Sequence, residues 1–338
     1  MYYFSTHKDS AKDEEMLQER MDEAQVFIDN GLCLDALQFY DEIDGQVYKE
    51  THSEIYAELN RNRGICYSKV TPQKPISSEM LTKTIISFEN SLEVYTLKEF
   101  PMEHALLLSD LGFAYTSLAE FRNREENLNT AIDYYDRALN IQYFEALEDG
   151  SALESSVYYN NRAVGRYNLG ILYISVAHIR DRKENLEKSD ASFRQSLYIF
   201  NLLISQSRNK DLIDEYLYNI ALIHLGIAKQ KIDLSNYFDD KDALGDSFEY
   251  SNKALSFFSI EKYPFEHSIA LSNLSSFYIT SSEDGNPLIP LNMAIQDLEQ
   301  ALMVLKRDKY PYHYATAKVN VGEVYTALGR VSAPYQNI

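Results

Sequence analysis

Apolar residues recur along this chain at helical spacing. Leu128, Ile132, Tyr135 and Leu139 stand at positions i, i+4, i+7 and i+11, which places them on one face of an α-helix. A single helix cannot bury such a face, so it must pack on a neighbour. The pattern predicts antiparallel helix pairs, each of which stacks on the next pair.

The chain contains a long duplication. The stretch LGFAYTSLAEFRNREENLNTAIDYYDRAL at 111–139 returns 58 residues later as LGILYISVAHIRDRKENLEKSDASFRQSL at 169–197, with 11 of 29 positions identical. Each copy holds a small residue three positions before a tyrosine, as in Gly112 and Tyr115. A small residue in the middle of one helix allows a second helix to lie close to it. Prolines eleven residues before three such small residues predict helix starts at Pro101, Pro264 and Pro311.

This small residue, here called the anchor, recurs at intervals of 47 to 58 residues. The anchors are Gly64, Gly112, Gly170, Gly226, Ser275 and Gly322. We expect helix pairs at about 13–49, 52–98, 101–145, 153–203, 209–260 and 264–307, and an unpaired helix at 311–329. Connecting segments rich in Gly, Pro, Ser, Asn and Asp lie between the helices, for example at 233–242. None is long enough for a flexible tether, so the sequence predicts one domain, 1–338.

The small-x-x-Tyr in a first helix, followed by Ala-x-x-x-Tyr/Phe-x-x-Ala in a second helix, resembles the tetratricopeptide repeat. The copy with Ala24, Phe27, Gly31, Ala36 and Tyr40 has the standard spacing of that family. The longer units look like the long-period bacterial and archaeal arrays that accompany CHAT proteases. The resemblance implies an all-α fold, a right-handed α-solenoid of about six and a half repeats, and a function in protein binding.

Composition narrows the possible partners. The formal net charge is −19, from 51 acidic and 32 basic residues, which disfavours nucleic acid and anionic membranes as ligands. No apolar run of about 18 residues and no signal-peptide pattern are found, so we expect a soluble, cytoplasmic protein. The two cysteines, Cys33 and Cys66, are too few for a disulfide framework and are expected to be buried thiols in a reducing compartment.

The sequence contains no HExxH, GxSxG or GxxxxGK[ST] motif. His104 and His267 share one repeat position, three residues after a helix-opening proline, which indicates a structural habit rather than a catalytic pair. We therefore expect no catalytic residue, no metal site and no cofactor. An enzyme whose active site is assembled across repeats stays open as a minor alternative.

A hydrogen-bonding residue stands two positions before each anchor. These residues, here called the ladder residues, are Asn62, Asp110, Asn168, His224, Asn273 and Asn320. By resemblance to tetratricopeptide arrays they point into a concave groove, where Asn binds the backbone amides of an extended peptide. One position after the middle anchors the groove is apolar, with Phe113, Ile171 and Ile227. The sequence predicts a scaffold or regulator that binds a peptide or protein segment of unknown identity. The alternative is that the ladder residues bond a neighbouring helix.

The unit anchored at Gly322 has no second helix in this sequence. We expect Val321, Val324, Tyr325 and Leu328 to lack internal cover. Either this end docks on another subunit or the tail VSAPYQNI at 331–338 folds over it. Exposed apolar ends of this type favour self-association. A homo-oligomer that forms through the C-terminal helix, and with it a self-assembling structural scaffold, is the alternative function.

Overall fold

The computed structural model describes residues 2–69, 77–141, 152–282 and 286–332. All regular structure in these ranges is helical, so the all-α prediction is confirmed. The helices of the described ranges are α1 (Tyr2–Asp29), α2 (Cys33–Ile43), a 3-10 turn (Asp44–Gln46), α3 (Ser53–Ser68), α4 (Ser78–Leu92), α5 (Pro101–Leu118), α6 (Arg124–Asn140), α7 (Ala152–Ala177), α8 (Arg182–Gln206), α9 (Lys210–Phe238), α10 (Lys241–Phe257), α11 (Pro264–Ser281), α12 (Leu288–Val304) and α13 (Pro311–Ser332).

The chain divides into two compact units, Met1–Asn161 and Arg162–Ile338. Consecutive helices pack on each other from α1 to α6 in the first unit and from α8 to α13 in the second. First helices of successive pairs also touch, since α1 contacts α3, α9 contacts α11, and α11 contacts α13. This neighbour-only packing is typical of helical repeat proteins. That the whole chain is one continuous domain stays a prediction.

Three first helices begin at the predicted prolines, Pro101 in α5, Pro264 in α11 and Pro311 in α13. Proline fits there because the first N–H groups of a helix have no intrahelical acceptor. In α5, Nδ1 of His104 lies 2.8 Å from the carbonyl oxygen of Tyr95. In α11, Nδ1 of His267 lies 2.8 Å from the carbonyl oxygen of Phe258. These histidines tie a helix start to the end of the preceding pair.

The glycine anchors allow a ring to lie directly on the helix backbone. A Cβ atom added at Gly112 would lie 2.8 Å from the ring of Tyr135 in α6, and one at Gly64 would meet the ring of Phe88 in α4. Both rings are buried. Any larger side chain at these anchors would force the two helices of the pair apart.

In the second unit one ring covers two anchors. Phe193 of α8 is fully buried, and its ring would lie 2.5 Å from a Cβ atom at Gly170 of α7 and 2.6 Å from one at Gly226 of α9. The anchor of α9 therefore packs on the preceding pair rather than on its own second helix. Phe193 joins three helices into one core.

The predicted connection at 233–242 is wrong, because α9 continues to Phe238. Asp233, which suggested a loop, is buried within the helix and bonded to neighbouring side chains. The helix ends where Asp239 takes a left-handed conformation, with φ of 53°. Elsewhere α1 begins at Tyr2 rather than near 13, and α6 ends at Asn140 rather than near 145.

The expectation for α13 is only partly met. Val324 is fully buried, and Val321 and Leu328 pack partly into a cluster with α11 and α12, so the prediction that these three lack cover is wrong. Two preceding helices, rather than one, touch the inner side of α13. Tyr325 points away from them and is exposed.

Both cysteines lie in the core of the first unit and are free thiols, as their small number predicted. Burial raises the pKa of the Cys66 thiol, and the adjacent Cys33 raises it further. A thiol with a raised pKa is a poor nucleophile at neutral pH, so Cys66 acts as a small apolar core residue.

Candidate functional site

Two ladder residues of the second unit are buried between first helices. Nδ2 of Asn273 in α11 donates to the backbone carbonyl of Leu225 in α9, at 3.2 Å. Nδ2 of Asn320 in α13 donates to the hydroxyl of Ser276 in α11, at 3.1 Å. Each amide thus bonds the preceding first helix, which is the arrangement that the sequence left open as the alternative.

The first unit repeats this arrangement once. Asn62 of α3 is buried, and its Nδ2 lies 3.4 Å from Oε1 of Gln25 in α1. The hydroxyl of Tyr40, a fully buried residue of α2, has no hydrogen-bond partner among the described residues. The amide of Asn62 therefore links α3 to α1 inside the protein.

The three middle ladder residues, Asp110, Asn168 and His224, are only half-buried. Burial raises the pKa of Asp110 to about 6, although the nearby Arg61 guanidinium opposes the shift. Burial lowers the pKa of His224 to about 4, and Lys253 lowers it further. At neutral pH the first unit therefore presents a carboxylate at this position and the second unit a neutral imidazole.

The apolar groove residues differ in how open they are. Phe113 of α5 is 51 % exposed, Ile171 of α7 is half-buried, and Ile227 of α9 is buried in the core. Ile227 is therefore not on the surface as the groove prediction assumed, because it lies beside Gly226, where α9 is pressed onto Phe193. Six positions before the anchors, a second row of apolar side chains is half-buried: Leu106, Val164, Ile220 and Ile269. First helices in both units thus present accessible apolar side chains.

A charged group lies next to the open residues of the first unit. Glu58 of α3 is half-buried, and burial raises its pKa. Arg61, one turn further along α3, has a buried Nε atom with no hydrogen-bond partner. This part of the first-helix surface combines Phe113, a carboxylate at Asp110 and an incompletely bonded guanidinium, which suits a polar backbone with apolar side chains.

The second unit contains a buried ionic group that the sequence pattern did not predict. The carboxylate of Asp233 lies 3.0 Å from Nε2 of His178 at the end of α7 and accepts a hydrogen bond from Lys229 at 2.8 Å. Burial by itself raises the pKa of Asp233, but these two bonds outweigh it and hold the pKa below its ordinary value. His178 and Lys229 thus compensate the buried charge of Asp233 between two first helices. One feature of the sequence could have revealed this ionic group: Asp233 occupies the repeat position at which two other units have Ala119 and Ala177.

A second missed residue is Asp297 in α12. Its Oδ2 atom is buried without a hydrogen-bond partner, and burial raises its pKa to about 6. Counted from the anchor, Asp297 occupies the position of Tyr134 in α6. Tyr134 stacks on Tyr115 there, with ring centroids 5.5 Å apart, whereas Asp297 faces Tyr278. Comparison of the repeat units thus identifies Asp297 as a charged residue at a position where another unit has a stacked aromatic ring.

The surface cavities differ in charge. In the first unit a cavity of 560 Å³ is lined by Glu54, Glu93 and Glu99 together with Lys49. Lys49 is already paired with Glu93. In the second unit a cavity of 350 Å³ is lined by three arginines and the exposed Tyr198. Both are open surface depressions, and neither brings the ladder residues together.

Within the described ranges, no group of three or more His, Cys, Asp or Glu side chains is placed to hold a metal ion. No helix of those ranges is both long enough and apolar enough to cross a bilayer.

No family model matches the chain, and no curated protein matches its sequence. The resemblance to tetratricopeptide repeats therefore depends on the residues and spacings given above and on the packing of helices in adjacent pairs.

Proposed function

We propose that this protein is a non-catalytic scaffold or regulator of the tetratricopeptide-like, right-handed α-solenoid type. It binds a peptide or protein segment on the exposed side of first helices such as α5. The observation that carries the proposal is Phe113, whose ring is half exposed in the middle of a first helix, beside the half-buried carboxylate of Asp110. Large aromatic side chains contribute strongly to protein interfaces because they bury much area at low entropic cost.

The half-buried ladder residues are better placed to bind a peptide than the buried ones. Asn62, Asn273 and Asn320 already use their amides within the chain. Asp110, Asn168 and His224 are half-buried and keep access to solvent. The carboxylate of Asp110 accepts backbone N–H groups or a basic side chain, while neighbouring apolar residues receive apolar side chains. The partner segment is therefore apolar, with a donor placed to reach Asp110.

Panning a random peptide library on the immobilised protein tests this proposal. Enriched peptides should carry apolar residues, and Phe113→Ala should weaken their binding about tenfold, as expected for loss of an interface aromatic. The matched control is Phe121→Ala, since Phe121 is 49 % exposed but lies in the turn after α5. A library that yields no binders, or binders that both variants affect equally, would refute the proposed surface.

A further inference from the structure

The outward face of α13 has no internal partner among the described residues. Ala317, Asn320 and Val324 face the protein and are buried. On the opposite side of the helix, Val319 is 60 % exposed and Tyr325 is 59 % exposed. Gly322 lies between these two on the same exposed side.

Gly322 is an anchor glycine whose ring site is empty. At Gly64, Gly112 and Gly170 an aromatic ring from the following helix lies where a Cβ atom would be. At Gly322 no atom of the described residues lies within 4 Å of that position. The other units therefore show what fits here, namely a helix that places an aromatic ring on the glycine backbone.

α13 itself carries such a ring, because Tyr325 is exposed three residues from Gly322 on the same side. A two-fold axis that relates two antiparallel α13 helices would exchange these two residues. Each Tyr325 ring would then cover the Gly322 of the other copy. In the hairpin of α5 and α6, Tyr135 covers Gly112 in the same way, also between antiparallel helices. Two-fold interfaces are self-complementary, which this pair of contacts satisfies.

We propose that two copies of this chain associate through their α13 helices, with Tyr325 of each copy packed on Gly322 of the other. The contact is independent of the peptide-binding surface proposed above. One helix from each partner forms a small interface, so monomer and dimer should exchange with concentration.

Sedimentation of the full chain over a wide concentration range tests the proposal. The wild-type protein should pass from monomer to dimer, and Gly322→Arg should leave a monomer at every concentration. The control is Gly245→Arg, because Gly245 is also an exposed helical glycine with no atom within 4 Å of its Cβ position. Circular dichroism of both variants checks that they fold. A wild-type monomer at all concentrations, or a dimer that both variants weaken equally, would overturn the proposal.

Cysteine crosslinking tests the antiparallel geometry. A mixture of Gly322→Cys and Tyr325→Cys proteins should give crosslinked dimers with a short thiol reagent, since the two positions meet across the axis. The native Cys33 and Cys66 are buried and should not react in the folded protein. A mixture that gives no crosslinked dimer would contradict the proposed register.

Discussion

Gly170 and Gly322 are the same residue at the same repeat position, yet their surroundings differ completely. Gly170 lies in a closed layer, where the ring of Phe193 fills the space that a Cβ atom would take. Gly322 lies on an exposed helix face, and no atom within 2–69, 77–141, 152–282 or 286–332 comes within 4 Å of its Cβ position. The comparison shows that a glycine at the anchor position can have two different roles in this fold. In the closed layer glycine is required for packing, and on α13 it leaves a site that a ring can enter.

The largest effect is expected for Phe193→Ala, which tests the closed packing of Phe193 against Gly170 and Gly226. The ring lies between Gly170 and Gly226, and neither glycine has a side chain that could fill the space it leaves. We expect a loss of about 3–5 kcal/mol in the free energy of unfolding, as for other buried aromatic truncations. Denaturant titration measures it, with Phe121→Ala as the exposed control. A loss no larger than that of the control would show that the layer is not closed.

The two glycines should respond with opposite signs to the same substitution. Gly170→Ala places a methyl group 2.5 Å from the Phe193 ring and should destabilise the protein by about 1–3 kcal/mol. Gly322→Ala meets no atom and should stabilise it by about 0.5–1 kcal/mol, because alanine loses less backbone entropy in a helix. Thermal unfolding at low protein concentration measures both. If both substitutions changed the stability in the same direction, the proposed difference between the two glycine sites would be wrong.

The ladder residues extend the comparison to polar groups. Asn273→Ala removes the hydrogen bond to the Leu225 carbonyl between two first helices and should cost about 1–2 kcal/mol. Asn168 is half-buried, and Asn168→Ala should cost less than about 0.5 kcal/mol. The two variants separate a structural amide from an accessible one. If Asn168→Ala proved the more damaging, our assignment of closed and open positions would be wrong.

The smallest effect concerns α12. Asp297 has a pKa of about 6 in the folded protein, above its ordinary value of 3.8, because burial disfavours the ionised form. The folded state therefore binds the proton more tightly, and its stability falls as pH rises from about 4 through 6. Asp297→Asn removes this penalty and should raise the free energy of unfolding by about 1 kcal/mol at pH 7.

Calorimetry at pH 7 and pH 4 checks this prediction, since the gain should nearly vanish at pH 4. The matched variant is Asp133→Asn in α6, where the carboxylate is exposed and paired with Arg137. A gain that does not depend on pH would show that the ionised carboxylate of Asp297 is not the cause.

Local spacing predicted much of the fold. The prolines mark the starts of α5, α11 and α13, and the anchors at Gly64, Gly112 and Gly170 receive the rings of their own pairs. These features depend on residues close together in the chain or repeated at a fixed interval. Prediction failed at 233–242, where a run of polar residues continues a helix because Asp233 finds His178 and Lys229 as partners.

The candidate site was harder to predict. All six ladder residues occupy the same repeat position, yet Asn273 bonds a backbone carbonyl 48 residues away while Asp110 is only half-buried. Ile171 and Ile227 occupy the same repeat position, but only Ile227 is in the core. Whether such a residue is buried depends on how neighbouring helix pairs are aligned against each other. The spacing of the anchors along the sequence does not contain this information.

The sequence by itself determined that this protein is helical, where most of its helices lie and which of them pair. Hydrophobic spacing, helix-opening prolines and small anchors act over one or two turns or within one pair, so they can be recognised along the chain. Only the tertiary structure decided which asparagines are enclosed, which glycines are covered and which rings stay exposed. Burial is set by neighbours from other pairs, and no single repeat contains that information.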